Sequence, residues 1–143
     1  MSAAKQLSVF IENRHGRLVE VLQVLKDNGI SILSMSLADT TEYGLLRLIV
    51  NDPVTCKAKL TESGFSTMLT RVLVVKITHQ SGSLQDLLRI LADANIGVEY
   101  MYGLSIDGAE ASVVMKTSDL DAAEAVFTDH GVSFLTSEDI AKM

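Results

Sequence analysis

With 143 residues, 48% of them hydrophobic, the chain can bury one ordinary core or two small ones, and with 5% aromatics and no tryptophan it must build them from aliphatic side chains. A net charge of -6 argues against a nucleic-acid partner, because affinity for the phosphate backbone comes from clustered Lys and Arg. Cys56 is the single cysteine and cannot close an internal disulfide; no apolar run approaches the ~20 residues of a membrane helix, so no membrane partner is expected. Nothing resembles a secretory leader, and a reducing, cytoplasmic setting is the expectation.

Leu7, Val9 and Ile11 alternate with Ser8, Phe10 and Glu12, a strand period with apolar residues on both faces near its middle. At Gly16 the period changes. Leu18, Val21, Leu22 and Leu25 recur at helical spacing, and Asn28 with Gly29 supplies the stop, since both tolerate a left-handed backbone. Residues 30–40 read as a strand, Glu42, Tyr43 and Gly44 as a turn, and residues 45–50 as the returning strand. Asp52 and Pro53 open a second helix as N-cap and first helical residue, Gly64 ends it, and residues 65–70 read as a fourth strand. Cys56 falls on the apolar face of that helix and reads as a small core residue rather than a reactive thiol.

The chain is then written again. Slid by 66 positions, Leu7, Val9, Ile11, Gly16, Leu18, Leu22, Leu25, Asp27, Ile30 and Met35 fall on Leu73, Val75, Ile77, Gly82, Leu84, Leu88, Leu91, Asp93, Ile96 and Met101. Shared apolar patterning explains part of that agreement but not the glycine or the aspartate. An offset of 65 then aligns Leu46, Leu48 and Val50 with Ala111, Val113 and Met115, and an offset of 67 aligns Asp52, Cys56, Leu60 and Gly64 with Asp119, Ala123, Phe127 and Gly131. The second copy starts through Arg71 with almost no linker. The predicted order is strand, helix, strand, strand, helix, strand, twice. This is an α+β chain of two ferredoxin-like βαββαβ units in tandem, residues 1–70 and 71–143, with antiparallel sheets and helices on one face. Each copy is near the lower size limit for independent stability, so the two are expected to pack together. Met35 and Met101 read as core filler, Tyr100 and Tyr102 as packing residues on the opposite strand face, and residues 137–140 as a terminal helical turn.

The stretch ENRHGRLVEVL, residues 12–22, gathers the candidate chemistry. Neither GxxxxGK[ST] nor GxGxxG occurs at Gly16 or Gly82, so no nucleotide cofactor is expected. His15, His79 and His130 have no metal-ligand spacing, and the second copy, THQSGSLQDLL, puts Ser81 where His15 stands and His79 where Asn13 stands. No nucleophile or base is retained, so no catalytic residue, cofactor or metal is assigned. An arginine in this loop, Arg14 or Arg17, leaves open an acylphosphatase-like enzyme on the same plait. Both copies keep Gly16 with Leu18, or Gly82 with Leu84: a turn glycine and a leucine that locks the helix to the sheet. Exposed amides of the first helical turn also suit a small carboxylate.

On these residues the chain resembles the ACT-domain family. VFIENRHGRLVEVLQVLKDNGISI and VVKITHQSGSLQDLLRILADANIGV are similar to that family's strand, short loop ending in Pro-Gly-x-Leu, helix and Asn-Ile strand start, so that roughly residues 5–70 and 71–143 look like two ACT domains in tandem. There are departures. His15 and Ser81 replace the usual proline, His79 replaces the frequent Asp or Asn that Asn13 keeps, and Ser31 and Gly97 replace the asparagine that often starts the second strand. The resemblance implies a non-enzymatic regulator that binds a free amino acid or similar small metabolite where two ACT domains lie side by side. It acts in trans on a partner enzyme of amino-acid metabolism, as a homodimer, with sheets that often join into one of eight strands. The implied ligand-binding residues are Asn13, Arg14, His15, Gly16, Arg17, Leu18 and Ser31, then His79, Gln80, Ser81, Gly82, Ser83, Leu84 and Gly97, with Asn13 making the first copy the more complete. The alternative is an ACT pair that serves only as a dimerisation module without ligand.

Overall fold

The computed structural model describes residues 3–12, 15–39, 43–78, 80–105 and 111–143. The chain divides into two compact units, Lys5–Thr70 with Ile140–Met143, and Arg71–Asp139 with the N-terminal end through Ala4.

The first unit contains β1 (Ala4–Glu12), α1 (Arg17–Asp27), β2 (Ile32–Asp39), β3 (Tyr43–Val50), α2 (Pro53–Glu62) and the start of β4 (Ser66–Ile77), with strand order β2-β3-β1-β4. β3 is antiparallel to both neighbours, so that Leu48 lies opposite Leu7 on one side and Met35 on the other. The second unit takes the rest of β4, then α3 (Ser83–Asp93), β5 (Val98–Ser105), β6 (Ala111–Thr117), α4 (Leu120–Asp129) and the start of α5 (Ser137–Ala141), with antiparallel order β4-β6-β5. Phe134 forms a single antiparallel bridge to Val75, which is all that stands in place of this copy's last strand. With β4 continuous across both copies and the last strand reduced to that bridge, the described residues form six strands rather than eight.

Alternation places one row from each strand under the helices. In the first unit Leu7, Val9 and Ile11 of β1 and Leu46, Leu48 and Val50 of β3 pack with Val21 and Leu25 of α1 and Cys56 and Leu60 of α2. The second unit repeats this with Leu73, Val75, Val113, Met115, Leu87, Leu91, Ala123 and Phe127. Each fully buried aliphatic side chain stabilises its unit by roughly 1.5–3 kcal/mol. The opposite strand face is buried as well at Ile49, Val72, Val74, Leu104 and Val114, consistent with the near-continuous apolar runs of β3, β4 and β6. Gln6 and Ser8 lie buried on that face too, with Gln6 Nε2 donating to Ser8 Oγ at 3.4 Å.

The helix boundaries follow the sequence signals. Asp52 Oδ1 accepts from Thr55 N–H at 3.2 Å and Asp119 Oδ1 from Ala122 N–H at 3.0 Å, each an N-cap of the kind worth about 1 kcal/mol. After α1 the left-handed residue is Gly29 at φ 65°, while Asn28 stays at φ -108°; the equivalent position after α3 is Asn95 at φ 59°. Tyr43 and Gly44, expected in a turn, are instead the first residues of β3, and Glu42 lies outside the described residues.

Met35 and Met101 are not core filler. They are 42% and 38% exposed, although they lie opposite the buried Leu48 and Met115 and therefore on the helix-facing side. The reason is position in the sheet: β2 and β5 are the outermost strands of their units, where the helices no longer cover the face. Both strands also carry a register shift at the same place, between Ile32 and Ser34 and between Val98 and Tyr100. A bulge of this kind brings Ile32 onto the face of Met35 and Leu37, and Val98 onto that of Met101.

Candidate functional site

In both units the strand-to-helix connection ends on a glycine in the left-handed region, Gly16 at φ 85°, ψ -8° and Gly82 at φ 87°, ψ -6°. Neither α1 nor α3 has a side-chain N-cap. The first turn closes by Glu20 N–H donating to Gly16 O at 3.0 Å and Asp86 N–H to Gly82 O at 2.9 Å. The amides of Leu18 and Val19, and of Leu84 and Gln85, precede the first intrahelical donor and so have no acceptor within their helix. A Cβ built on Gly16 or Gly82 meets nothing within 4 Å, so the backbone at each turn can be approached closely.

Beside each turn lies an open cleft. The first, of about 280 Å³, is lined by Phe10, Ile11 and Glu12 of β1, Arg17 of α1, and Gly64 and Ser66 at the entry to β4. The second, of about 270 Å³, is lined by Lys76, Thr78, Gln80, Ser83 and Asp86 among others, and is more polar. Both fall just below the range of drug-sized ligand sites, roughly 300–1,000 Å³, and so suit a smaller molecule.

Arg17 is the most constrained polar side chain of the first cleft. Its guanidinium carbon lies 4.1 Å from the centre of the Phe65 ring, its Nη1 donates to Glu20 Oε2 at 2.5 Å, and its side chain is only 15% exposed. Its Nε is buried and finds no acceptor among the described residues. Phe65 is the residue that sequence reasoning missed, since 48 positions separate it from Arg17 and no local pattern links them. At the matching place in the second unit the hydroxyls of Thr78 and Ser83 hydrogen-bond each other at 2.7 Å.

Of the residues expected in the first site, His15 and Gly16 are exposed at the turn, Arg17 lines the cleft, and Leu18 packs against the helix-side core. Asn13 and Arg14 lie outside the described residues, as does His79. In the second, Gln80 and Ser83 line the cleft, Ser81 and Gly82 are exposed, and Leu84 packs on the core. Ser31 and Gly97 are not brought to these turns within their own units. Each follows the 11-residue helix that the turn begins, a separation of roughly 16 Å along its axis. Cys56 is fully buried away from the cleft, and burial, with a smaller contribution from the Asp52 charge, pushes its thiol up to about 12. Among the described residues no group of three His, Cys, Asp or Glu is placed to hold a metal ion, and no helix is long and apolar enough to cross a membrane.

A family profile described as an ACT domain pair matches residues 2–143. Protein BT0572 from Bacteroides thetaiotaomicron has a crystal structure similar to this one at a TM-score of 0.93, with 32% sequence identity over 99% of this chain and 98% of that one. The fold is also similar to the ligand-free regulatory subunit of aspartate kinase from Thermus thermophilus (TM-score 0.62, 15% identity, 87% of this chain and 91% of that one). The corresponding subunit from Thermus flavus gives a TM-score of 0.59 at 15% identity over 90% and 93%. No curated protein matches the chain. A match spanning residues 2–143, together with a structural relative at 32% identity over nearly both full lengths, shows that the chain belongs to the ACT domain pair family.

Proposed function

We propose that this protein is a non-enzymatic sensor that binds a free amino acid at its strand-to-helix turns, where ACT domains meet, and regulates amino-acid metabolism in trans. The observation that carries this reading is the repeated turn: a left-handed glycine, an uncapped helix start and an open cleft of amino-acid dimensions, present in both units. A free amino acid offers a carboxylate suited to helix-start amides and an ammonium suited to carbonyl or carboxylate oxygens. Regulation then follows by linkage, the ligand favouring whichever association state it binds more tightly. The proposed site comprises the loop residues Asn13 to Leu18 and His79 to Leu84, with Ser31 and Gly97 contributed by a neighbouring ACT domain. In Thermus thermophilus the same fold forms a regulatory subunit of aspartate kinase.

A thermal-shift screen against the twenty amino acids tests the reading. A ligand at ~100 times its dissociation constant stabilises by about 2.7 kcal/mol, and no shift with any of them would count decisively against a sensor. Gly16→Val should remove the shift by blocking approach to the turn.

A second reading, an ACT pair that serves dimerisation alone, is favoured by one observation. Ile32, Met35 and Leu37 expose an apolar row on β2, and Val98 and Met101 a shorter one on β5, where a second copy would cover them. An acylphosphatase-like reaction has less support, because the profile that matches residues 2–143 is that of an ACT domain pair.

A further inference from the structure

We infer that ligand recognition is confined to the first unit, whose cleft between β1, α1 and the entry to β4 selects a zwitterion with an apolar side chain, while the second unit is a silent copy. This rests on the amino-acid-binding reading above and names the chemistry of that site.

The argument begins with the positions that the repeat makes equivalent. Glu12 and Arg17 in the first unit correspond to Thr78 and Ser83 in the second, and Phe10 corresponds to Lys76. In the second unit strand end and helix start are tied to each other, since the Thr78 and Ser83 hydroxyls satisfy one another at 2.7 Å. In the first unit the same span carries opposite charges, and Arg17 turns instead onto Phe65 and Glu20. Opposite charges, Glu12 and Arg17, therefore line one cleft, and two mutually hydrogen-bonded neutral hydroxyls line the other.

The first cleft has the three features that a zwitterion needs. Arg17 presents five N–H donors in a planar fork, one of which serves Glu20, and its buried Nε lacks an acceptor among the described residues. A carboxylate fits the remaining fork. Stacking on Phe65 fixes the guanidinium plane, so little side-chain freedom remains to be lost on binding. The Glu12 carboxylate at the opposite end of the loop suits an ammonium group. Phe10, 40% exposed, furnishes apolar surface for a side chain. Lys76 in place of Phe10 removes that surface from the second cleft.

Calorimetric titration of the full chain with free leucine, isoleucine, valine, methionine and phenylalanine provides the test. At least one should bind with one molecule per chain. Arg17→Gln should weaken it tenfold or more. Glu12→Gln should weaken it similarly yet leave the corresponding 2-oxo acid, which lacks the ammonium, within twofold of its wild-type affinity. Should Arg17→Gln impair folding, Ser66→Trp fills the cleft from an exposed position and should abolish binding with the core untouched. Two molecules per chain, affinity unchanged by Arg17→Gln or Ser66→Trp, or binding of polar amino acids only would overturn this inference while leaving the sensor reading standing. Absence of binding by all twenty amino acids would overturn the sensor reading, and this inference with it.

Discussion

Asn51 holds Ser31 by both of its backbone polar groups: its Oδ1 accepts from the Ser31 N–H at 2.9 Å, and its own N–H donates to the Ser31 carbonyl at 3.2 Å. Ser118 and Gly97 repeat the clamp, with Ser118 Oγ accepting from Gly97 N–H at 3.0 Å and Ser118 N–H donating to Gly97 O at 2.8 Å. The residue before each second-helix N-cap thus fixes the entry to the edge strand. A ligand reaching Ser31 or Gly97 finds the amide already occupied.

Removing the clamp's side chain should therefore act on stability. Asn51→Ala should cost about 0.5–1.5 kcal/mol, the net worth of one such hydrogen bond, and Asn51→Ser, which copies the second unit, should cost less. Urea midpoints for the two variants measure the difference.

Cys56 should govern the alkaline limb of stability. Its folded thiol is raised to about 12 by burial and the Asp52 charge, against an unfolded value of about 8.5. Between those values the unfolded chain binds fewer protons than the native one, so stability is fully present below pH ~8.5 and falls as pH rises, approaching ~1.4 kcal/mol per pH unit. Cys56→Ala, the residue at the equivalent Ala123, should flatten that fall when denaturation is followed from pH 8 to 11. In native wild-type protein the thiol should resist a disulfide reagent at pH 8 and react on unfolding.

Gly16→Ala and Gly82→Ala should cost nearly equal amounts, about 1–2 kcal/mol each, because the two φ angles agree within 2° and no atom stands within 4 Å of the added Cβ. The cost is one of backbone conformation alone. A marked inequality in denaturation midpoints would show that one turn is held by contacts the other lacks.

The exposed row on β2 should control association. Met35→Lys combined with Leu37→Glu should shift the solution mass toward the monomer in light scattering and leave unfolding within about 0.5 kcal/mol of wild type, since both side chains are already about half exposed within their own unit.

Much of this fold was legible because its signals are local. The N-caps Asp52 and Asp119, the turn glycines Gly16 and Gly82, and the helical rows around Leu25 and Leu91 each follow from a few neighbouring residues. Cys56 was placed correctly by helical spacing and its alanine counterpart. Exposure at Met35 and Met101 was not legible, because alternation fixes which face a strand residue takes but not whether a helix reaches that strand. The last strand of the second copy fell short for a related reason: its pairing depends on a partner far away in sequence. Arg17 shows the same limit at the site. Its charge was visible, but the ring of Phe65 beneath it is a product of folding.

The paired bulges on β2 and β5 have a consequence for how such a protein survives at cellular concentration. A chain with an open strand at one border of each unit could stack head to tail, each copy seeding the next, and such heterologous contacts need never close. A kink at Ile32/Ser34 and again at Val98/Tyr100 interrupts the run of regularly spaced donors and acceptors near the beginning of each edge. Each border then offers a shorter regular ladder than an unbroken strand would, and so a poorer template for fibre growth.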